Sequence, residues 1–275
     1  MIILKDKKEE TAKKYRIIDA HCHIYPQKIA AKAVTAIGNF YNIAMGEDGT
    51  SASLVAEGEK IGVEKYVVHS TATTVHQVRS INEYIYSEMT AHPEFIGFMT
   101  LHNDMETEAI EAEVELAISR GMKGVKLHPD FQKFNIDDAE NIYAVTKGRL
   151  PVLLHMGDKR YDFSSPARLR KMAEKYPDQI FIGAHFGGYS VWDKVECLKD
   201  LPNVYFDTSS SLFALDKARA ADLIRRFGHE RYFFGTDFPM WKPDEELARF
   251  LALPLTEEER EDILYNNAAK LLQVE

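Results

Sequence analysis

Eight short apolar runs, roughly thirty residues apart and joined by helix-patterned segments with little room for hairpins, predict a (β/α)8 barrel for this 275-residue chain. Its length exceeds one average domain but suits a single closed α/β barrel. An open doubly wound sheet usually has fewer strands and a glycine-rich phosphate turn after the first, and neither GxGxxG nor GxxxxGKS/T occurs here.

The runs are RIIDAHCH (16–23), KYVVHS (65–70), FIGFMTLH (95–102), KGVKLHP (123–129), LPVLLHMGD (150–158), QIFIGAHFGG (179–188), NVYFDTSS (203–210) and RYFFGTDFP (231–239). Each is rich in Val, Ile or Phe and ends in polar residues, as a buried parallel strand does. The connections read as helices. Ile110, Val114, Ala117 and Ile118 recur with helical spacing inside a Glu-rich stretch that stops at Arg120-Gly121. The first connection is longer and holds Pro26, Gly38, Gly46 and Gly49, so residues 24–50 are expected to form a flap over the barrel mouth. Residues 1–15 read as a polar lead-in, and no later Gly-, Pro- or Ser-rich stretch marks a domain boundary, which makes 1–275 one domain.

Composition narrows the function classes. With 45% apolar and 28% charged residues the chain buries a large core and is neither disordered nor fibrous. Thirty-four basic against 43 acidic residues leave −9, which argues against nucleic acid or an anionic membrane as partner and leaves a small-molecule substrate. Two cysteines, Cys22 and Cys197, make no disulfide framework or CxxC site. With no apolar leader and no run long enough to span a bilayer, a cytoplasmic location is expected.

A barrel builds its site at the C-terminal ends of its strands. Seven of ten histidines (His21, His23, His69, His102, His128, His155 and His185) fall there, and Asp237 ends the eighth run. Side chains alternate along a strand, so His21 and His23 share a face while Cys22 points the other way. An HxH pair alone is a weak signal; joined by His155, His185 and Asp237 it supplies the three or four N/O ligands that a catalytic divalent ion needs. Blander readings exist for each. His155 suits a core-edge histidine bonded to a carbonyl, Asp237 a helix N-cap, and His185 equally a ligand, a general base or a hydrogen-bond donor to substrate.

Lys126 and His128 share a face of the fourth run. Lys126 reads as a carboxylated bridge between two metals, as an ammonium for a substrate carboxylate, or as a salt-bridged barrel lysine. Asp19 and Asp207 read as supports that orient ligands, and His69 and His102 as residues behind or around the site. Arg160 would suit a carboxylate, and Tyr161, Phe186, Phe238 and Trp241 would suit a planar ring.

In order, IIDAHCH, GVKLHP, PVLLHMG, IGAHFGG, YFDTSS and FGTDFP resemble the amidohydrolase family 2 branch of the amidohydrolase superfamily, from Arg16 to the end; ILYNNAAKLL (263–272) resembles its closing helix. The resemblance implies a distorted TIM barrel, one divalent ion (zinc, or manganese) on His21, His23, His155 and Asp237, and His185 as catalytic histidine. A second ion would require a carboxylated Lys126. The branch holds both hydrolases and nonoxidative decarboxylases, and the resemblance also carries an expectation of a homodimer.

Three readings follow. The leading one is hydrolysis of a small amide, ester or lactone: the metal lowers the pKa of its water to about 7, Asp237 accepts the proton, and His185 assists the oxyanion or leaving group. The second is decarboxylation of an aromatic or unsaturated carboxylate on the same metal. The third is a noncatalytic metal-binding barrel.

Overall fold

The computed structural model describes residues 15–275. The expected lead-in therefore lies outside the described residues except for Tyr15, whose hydroxyl donates to Glu257 at 2.7 Å.

Eight strands occupy one sheet in chain order: β1 (Ile17–His23), β2 (Val63–His69), β3 (Phe95–Thr100), β4 (Gly124–Leu127), β5 (Val152–Leu154), β6 (Phe181–Gly183), β7 (Val204–Asp207) and β8 (Tyr232–Phe233). From β3 to β7 the pairing is parallel, with Thr100, Lys126, Leu153, Ile182 and Tyr205 successively in register. β1 closes against the segment that continues β8. Ala20 N–H donates to Phe234 O at 2.8 Å, Asp237 N–H to His21 O at 2.9 Å and His23 N–H to Phe238 O at 2.7 Å. This is the expected (β/α)8 fold. All eight runs contain a strand, and all residues of β3 to β6 are buried, the continuous apolar pattern of strands covered on both faces.

By density of contacts the chain forms two compact units. The first runs up to Val68 and resumes from Thr208 to Glu275; the second is His69–Asp207. The first carries α1 (Gln27–Tyr41) and α2 (Ser51–Glu59) near its start. The second carries α3 (Val78–Ala91), α4 (Thr107–Ser119), α5 (Glu140–Thr146) and α6 (Pro166–Lys175). The first then continues with α7 (Lys217–Phe227), α8 (Pro243–Leu251), α9 (Glu257–Glu261) and α10 (Asn267–Leu272).

The α4 pattern shows how periodicity translates into packing. Ile110, Val114 and Ala117 are buried as the spacing predicts, whereas Ile118 is 38% exposed. Glu113 takes an inward place instead, accepting from Asn82 Nδ2 at 3.2 Å and pairing with Arg79 Nε at 2.9 Å. Gly121 ends this segment at φ +79° with open space around it, so backbone conformation and not crowding calls for glycine.

Two connections differ from the simplest expectation. The β6–β7 connection holds 3-10 turns, His185–Gly187 and Val195–Leu198, in place of an α-helix. Its polar groups are committed to local anchors, with Tyr189 N–H on Met156 O at 2.7 Å and Trp192 Nε1–H on His185 O at 3.0 Å. The segment read as a flap, 24–50, is built around α1. Its return stretch is tied down where Gly46 and Glu47 N–H donate to Pro239 O at 3.1 and 3.0 Å.

Candidate metal and catalytic site

In the first unit, the pairing of β1 with the chain after β8 brings one carboxylate to two imidazoles. His21 Nε2 and His23 Nε2 lie 3.3 Å apart, and Asp237 Oδ1 is 3.4 Å from each. Nitrogen or oxygen ligands about 2.0–2.1 Å from a tetrahedral ion sit about 3.3–3.4 Å from one another, so these three atoms have the spacing of a metal's ligands. His21 is fully buried and Asp237 nearly so. Asp237 is not a helix cap: Lys242 precedes α8.

Behind this trio the side chains are held tightly. Asp19, fully buried, accepts from Thr236 Oγ1 at 2.6 Å and Thr236 N–H at 2.9 Å, and from His21 N–H at 3.2 Å. It thus ties the backbone under His21 to the backbone before Asp237. Burial raises its pKa to about 6, against the lowering effect of the Thr236 bonds. Ser209 Oγ is 3.2 Å from His21 Nδ1, which directs Nε2 toward His23 and Asp237. Ser210 donates to Asp237 Oδ2. Both serines lie in YFDTSS, two and three residues past Asp207, so a polar strand end was visible in sequence although their roles were not.

The second unit gathers a different histidine set. His185 Nε2 is 3.0 Å from His155 Nδ1, and His155 Nε2 is 3.1 Å from Gly157 O. A carbonyl only accepts, so His155 carries a proton on Nε2, and a neutral His155 then accepts at Nδ1 from His185 Nε2. A metal bond from either His155 nitrogen would replace one of these hydrogen bonds. Asp207, read from the sequence as a support for a ligand, accepts from the backbone N–H of His185 at 3.0 Å.

His128 stacks on His155 with centroids 4.0 Å apart and planes 7° apart, and its Nδ1 accepts from Phe131 N–H at 3.3 Å. His128, Asp130 and His155 bring three ligand atoms together. Imidazole lone pairs lie in the ring plane, however, and two nearly parallel stacked rings do not aim at one ion. Asp130 accepts from Ser164, while burial raises its pKa to about 6. Sequence reading missed Gln132, whose Nε2 donates to Ala72 O at 2.9 Å and Leu101 O at 2.8 Å while its Oε1 accepts from His128 N–H. Gln132 thus joins the ends of three strand regions.

The remaining expected residues are dispersed in environment. Lys126 is fully buried on β4. Arg160 Nε and Nη2 grip Asp158, at 2.9 and 2.6 Å, so its charge already has an answer, and Tyr161 is 44% exposed. Phe238 is fully buried; Trp241 stacks on Phe213 at 4.8 Å. His69 is fully buried, and His102 Nδ1 accepts from Asp104 N–H at 3.3 Å.

Four site residues adopt positive φ without being glycine: His185 (+61°), Phe186 (+55°), Ser210 (+45°) and Asp237 (+59°). Such backbone costs energy in L residues and gathers where side chains must be aimed.

The family model described as amidohydrolase matches residues 18–274. The chain belongs to the amidohydrolase family. No curated protein matches it by sequence. Among solved structures, this amidohydrolase-family chain is similar to an uncharacterised TIM-barrel protein from Bordetella bronchiseptica, with TM-score 0.75 and 20% identity, covering 94% of this chain and 98% of that one. It is similar to 5-carboxyvanillate decarboxylase from Sphingomonas paucimobilis, with TM-score 0.75 and 14% identity over 95% and 100% of the two chains. It also resembles a dihydroxybenzoic acid decarboxylase from Polaromonas sp. JS666, solved with bound manganese, with TM-score 0.68 and 17% identity over 94% and 97%. No described helix is long and apolar enough to cross a membrane.

Proposed function

We propose that this protein is a metal-dependent nonoxidative decarboxylase of a small aromatic carboxylate. The carrying observation is the convergence of His21 Nε2, His23 Nε2 and Asp237 Oδ1 at 3.3–3.4 Å, a donor set that suits one divalent zinc or manganese ion. When bound, such an ion would anchor a substrate carboxylate and a neighbouring oxygen and draw off negative charge. The family resemblance adds His155 as a ligand and His185 as the catalytic histidine, and both assignments are part of the proposal.

Two considerations favour decarboxylation over the hydrolysis that the ligand count first suggested. Three of the structural neighbours are named as decarboxylases, of 5-carboxyvanillate, of 2,6-dihydroxybenzoate and of dihydroxybenzoic acid. In addition, Asp237 has Oδ1 turned to the imidazoles and Oδ2 accepting from Ser210, which leaves it poorly placed to take a proton from an attacking water. His185 is 2% exposed and lies 3.0 Å from His155, and it is the proposed group for delivering a proton to the ring carbon as the bond to carbon dioxide breaks. Lys126, His128 and Arg160 are the proposed contacts for substrate oxygens, and Tyr161, Phe238 and Trp241 those for the ring.

The test is to load the purified chain with manganese or zinc and offer 2,6-dihydroxybenzoate and 5-carboxyvanillate beside lactones and amides. Carbon dioxide release that disappears in His185→Asn supports the proposal. Turnover of a lactone or amide with no release from any carboxylate would return the assignment to hydrolase.

A further inference from the structure

Asp237 is held from behind by hydrogen bonds that the metal reading does not use. Trp241 Nε1–H donates to Ser210 Oγ at 2.9 Å, and Ser210 Oγ donates to Asp237 Oδ2. Indole is a donor only, so Ser210 is the acceptor in the first bond, and a hydroxyl has one proton to give. Two acceptors compete for that proton, because the Met240 thioether lies 3.4 Å from the same oxygen. A carboxylate wins: charge-assisted hydrogen bonds are roughly twice as strong as neutral ones, and a thioether is weaker still.

The donor end of this relay is fixed in turn. Trp241 stacks on Phe213 with planes 27° apart, and the Arg249 guanidinium lies 4.8 Å from the Trp241 ring centroid. Arg249 is held by Glu246, which is 1% exposed, and by Glu245 at 3.3 Å. Ser210 itself is 1% exposed and sits at φ +45°, a conformation that Gly adopts more readily than Ser. The chain therefore tolerates an unfavourable backbone at the residue whose hydroxyl meets Asp237.

We propose that Ser210 and Trp241 are positioning residues that orient the Asp237 carboxylate so that Oδ1 alone serves the metal. This inference rests on the metal-centre reading above. Without the relay, Asp237 loses the bond that fixes Oδ2 and with it a restraint on rotation about its Cβ–Cγ bond. Groups that orient a metal's ligands typically contribute 10–100-fold to its affinity.

The experiment is a titration of the chelator-stripped full chain with Mn2+, followed by electron paramagnetic resonance, and with Co2+, followed by visible absorption. It compares wild type, Ser210→Ala, Ser210→Gly and Trp241→Phe, each checked for folding by circular dichroism. Both serine variants are expected to bind Mn2+ about 10–100-fold more weakly, with an altered Co2+ spectrum. Trp241→Phe, which keeps the ring but loses the N–H, is expected to shift several-fold in the same direction. Ser210→Gly separates hydroxyl from backbone: it relieves the positive φ, so a merely structural Ser210 predicts wild-type affinity there. Wild-type affinity in Ser210→Gly overturns this inference and leaves the metal reading standing. A wild-type chain that binds neither ion overturns both.

Discussion

Asp237 has a backbone that glycine would find easier and a side chain whose two oxygens face different partners. Replacing it by Ala removes a carboxylate from the His21–His23 pair. The expected outcome is a fall of at least 100-fold in affinity for Zn2+ or Mn2+ with the fold retained, read by elemental analysis and circular dichroism. Retention of the ion at wild-type stoichiometry by both Asp237→Ala and His21→Ala would remove the proposed centre. Gly157 is constrained differently. It lies at φ +79°, and a Cβ there would come within 2.7 Å of Gly188 C and Tyr189 O. Gly157→Ala combines a left-handed backbone with a backbone clash, so a loss of about 3 kcal/mol or more is expected in urea unfolding. Because Gly157 O also accepts from His155, that variant should disturb the His155–His185 pair as well.

Among the elements, α3 and α8 each carry a buried polar group whose removal has a calculable direction. Asn82 on α3 clamps the end of β3, accepting from Thr100 N–H at 2.8 Å and donating to Thr100 O at 3.1 Å. Asn82→Leu strands both backbone groups, and a loss of about 2–4 kcal/mol in chemical unfolding is expected. Glu246 on α8 is 1% exposed, and burial raises its pKa to about 7 although Arg249 acts to lower it. Its folded-state pKa lies above the ordinary carboxylate value of 4.5, so the folded protein holds a proton that the unfolded chain has released between those limits. Stability is therefore lost from this group as pH rises from about 4.5 to 7, by on the order of 3 kcal/mol. Glu246→Gln should raise Tm more at pH 7.5 than at pH 4.5; an equal shift at both would show that burial of this charge is not the cause.

The proposed metal joins β1 to the chain beyond β8, which makes it a stabilising ligand for the whole fold. At a free concentration 100 times its Kd it adds about 2.7 kcal/mol to the stability of a state that alone binds it. Removing metal with a chelator should lower the Tm of wild type and leave His21→Ala almost unaffected, as scanning calorimetry would show. Charge matters at this scale too, since −9 over the molecule makes any anion-binding region local.

Much of this was legible because two regularities are local in sequence. Strand-sized Val, Ile and Phe runs alternating with helical spacing encode parallel strands and their covering helices, and a barrel puts strand ends on one site-bearing face. Hence the strands, the placement of seven histidines at their ends and the pairing of His21 with His23 could be read directly from the residues. The absence of a helix between β6 and β7 could not, because its turns are held by hydrogen bonds such as Trp192 to His185 O that no local pattern announces. The positive φ of His185, Ser210 and Asp237 was hidden for the same reason: non-glycine residues carry no mark of a conformation imposed by their surroundings. Sequence by itself determined the fold class and which residue types reach the strand ends. Tertiary structure alone decided that Ser210 meets one oxygen of Asp237, that Arg160 meets Asp158 and that His155 meets His185, because each depends on side-chain directions set by closure and packing.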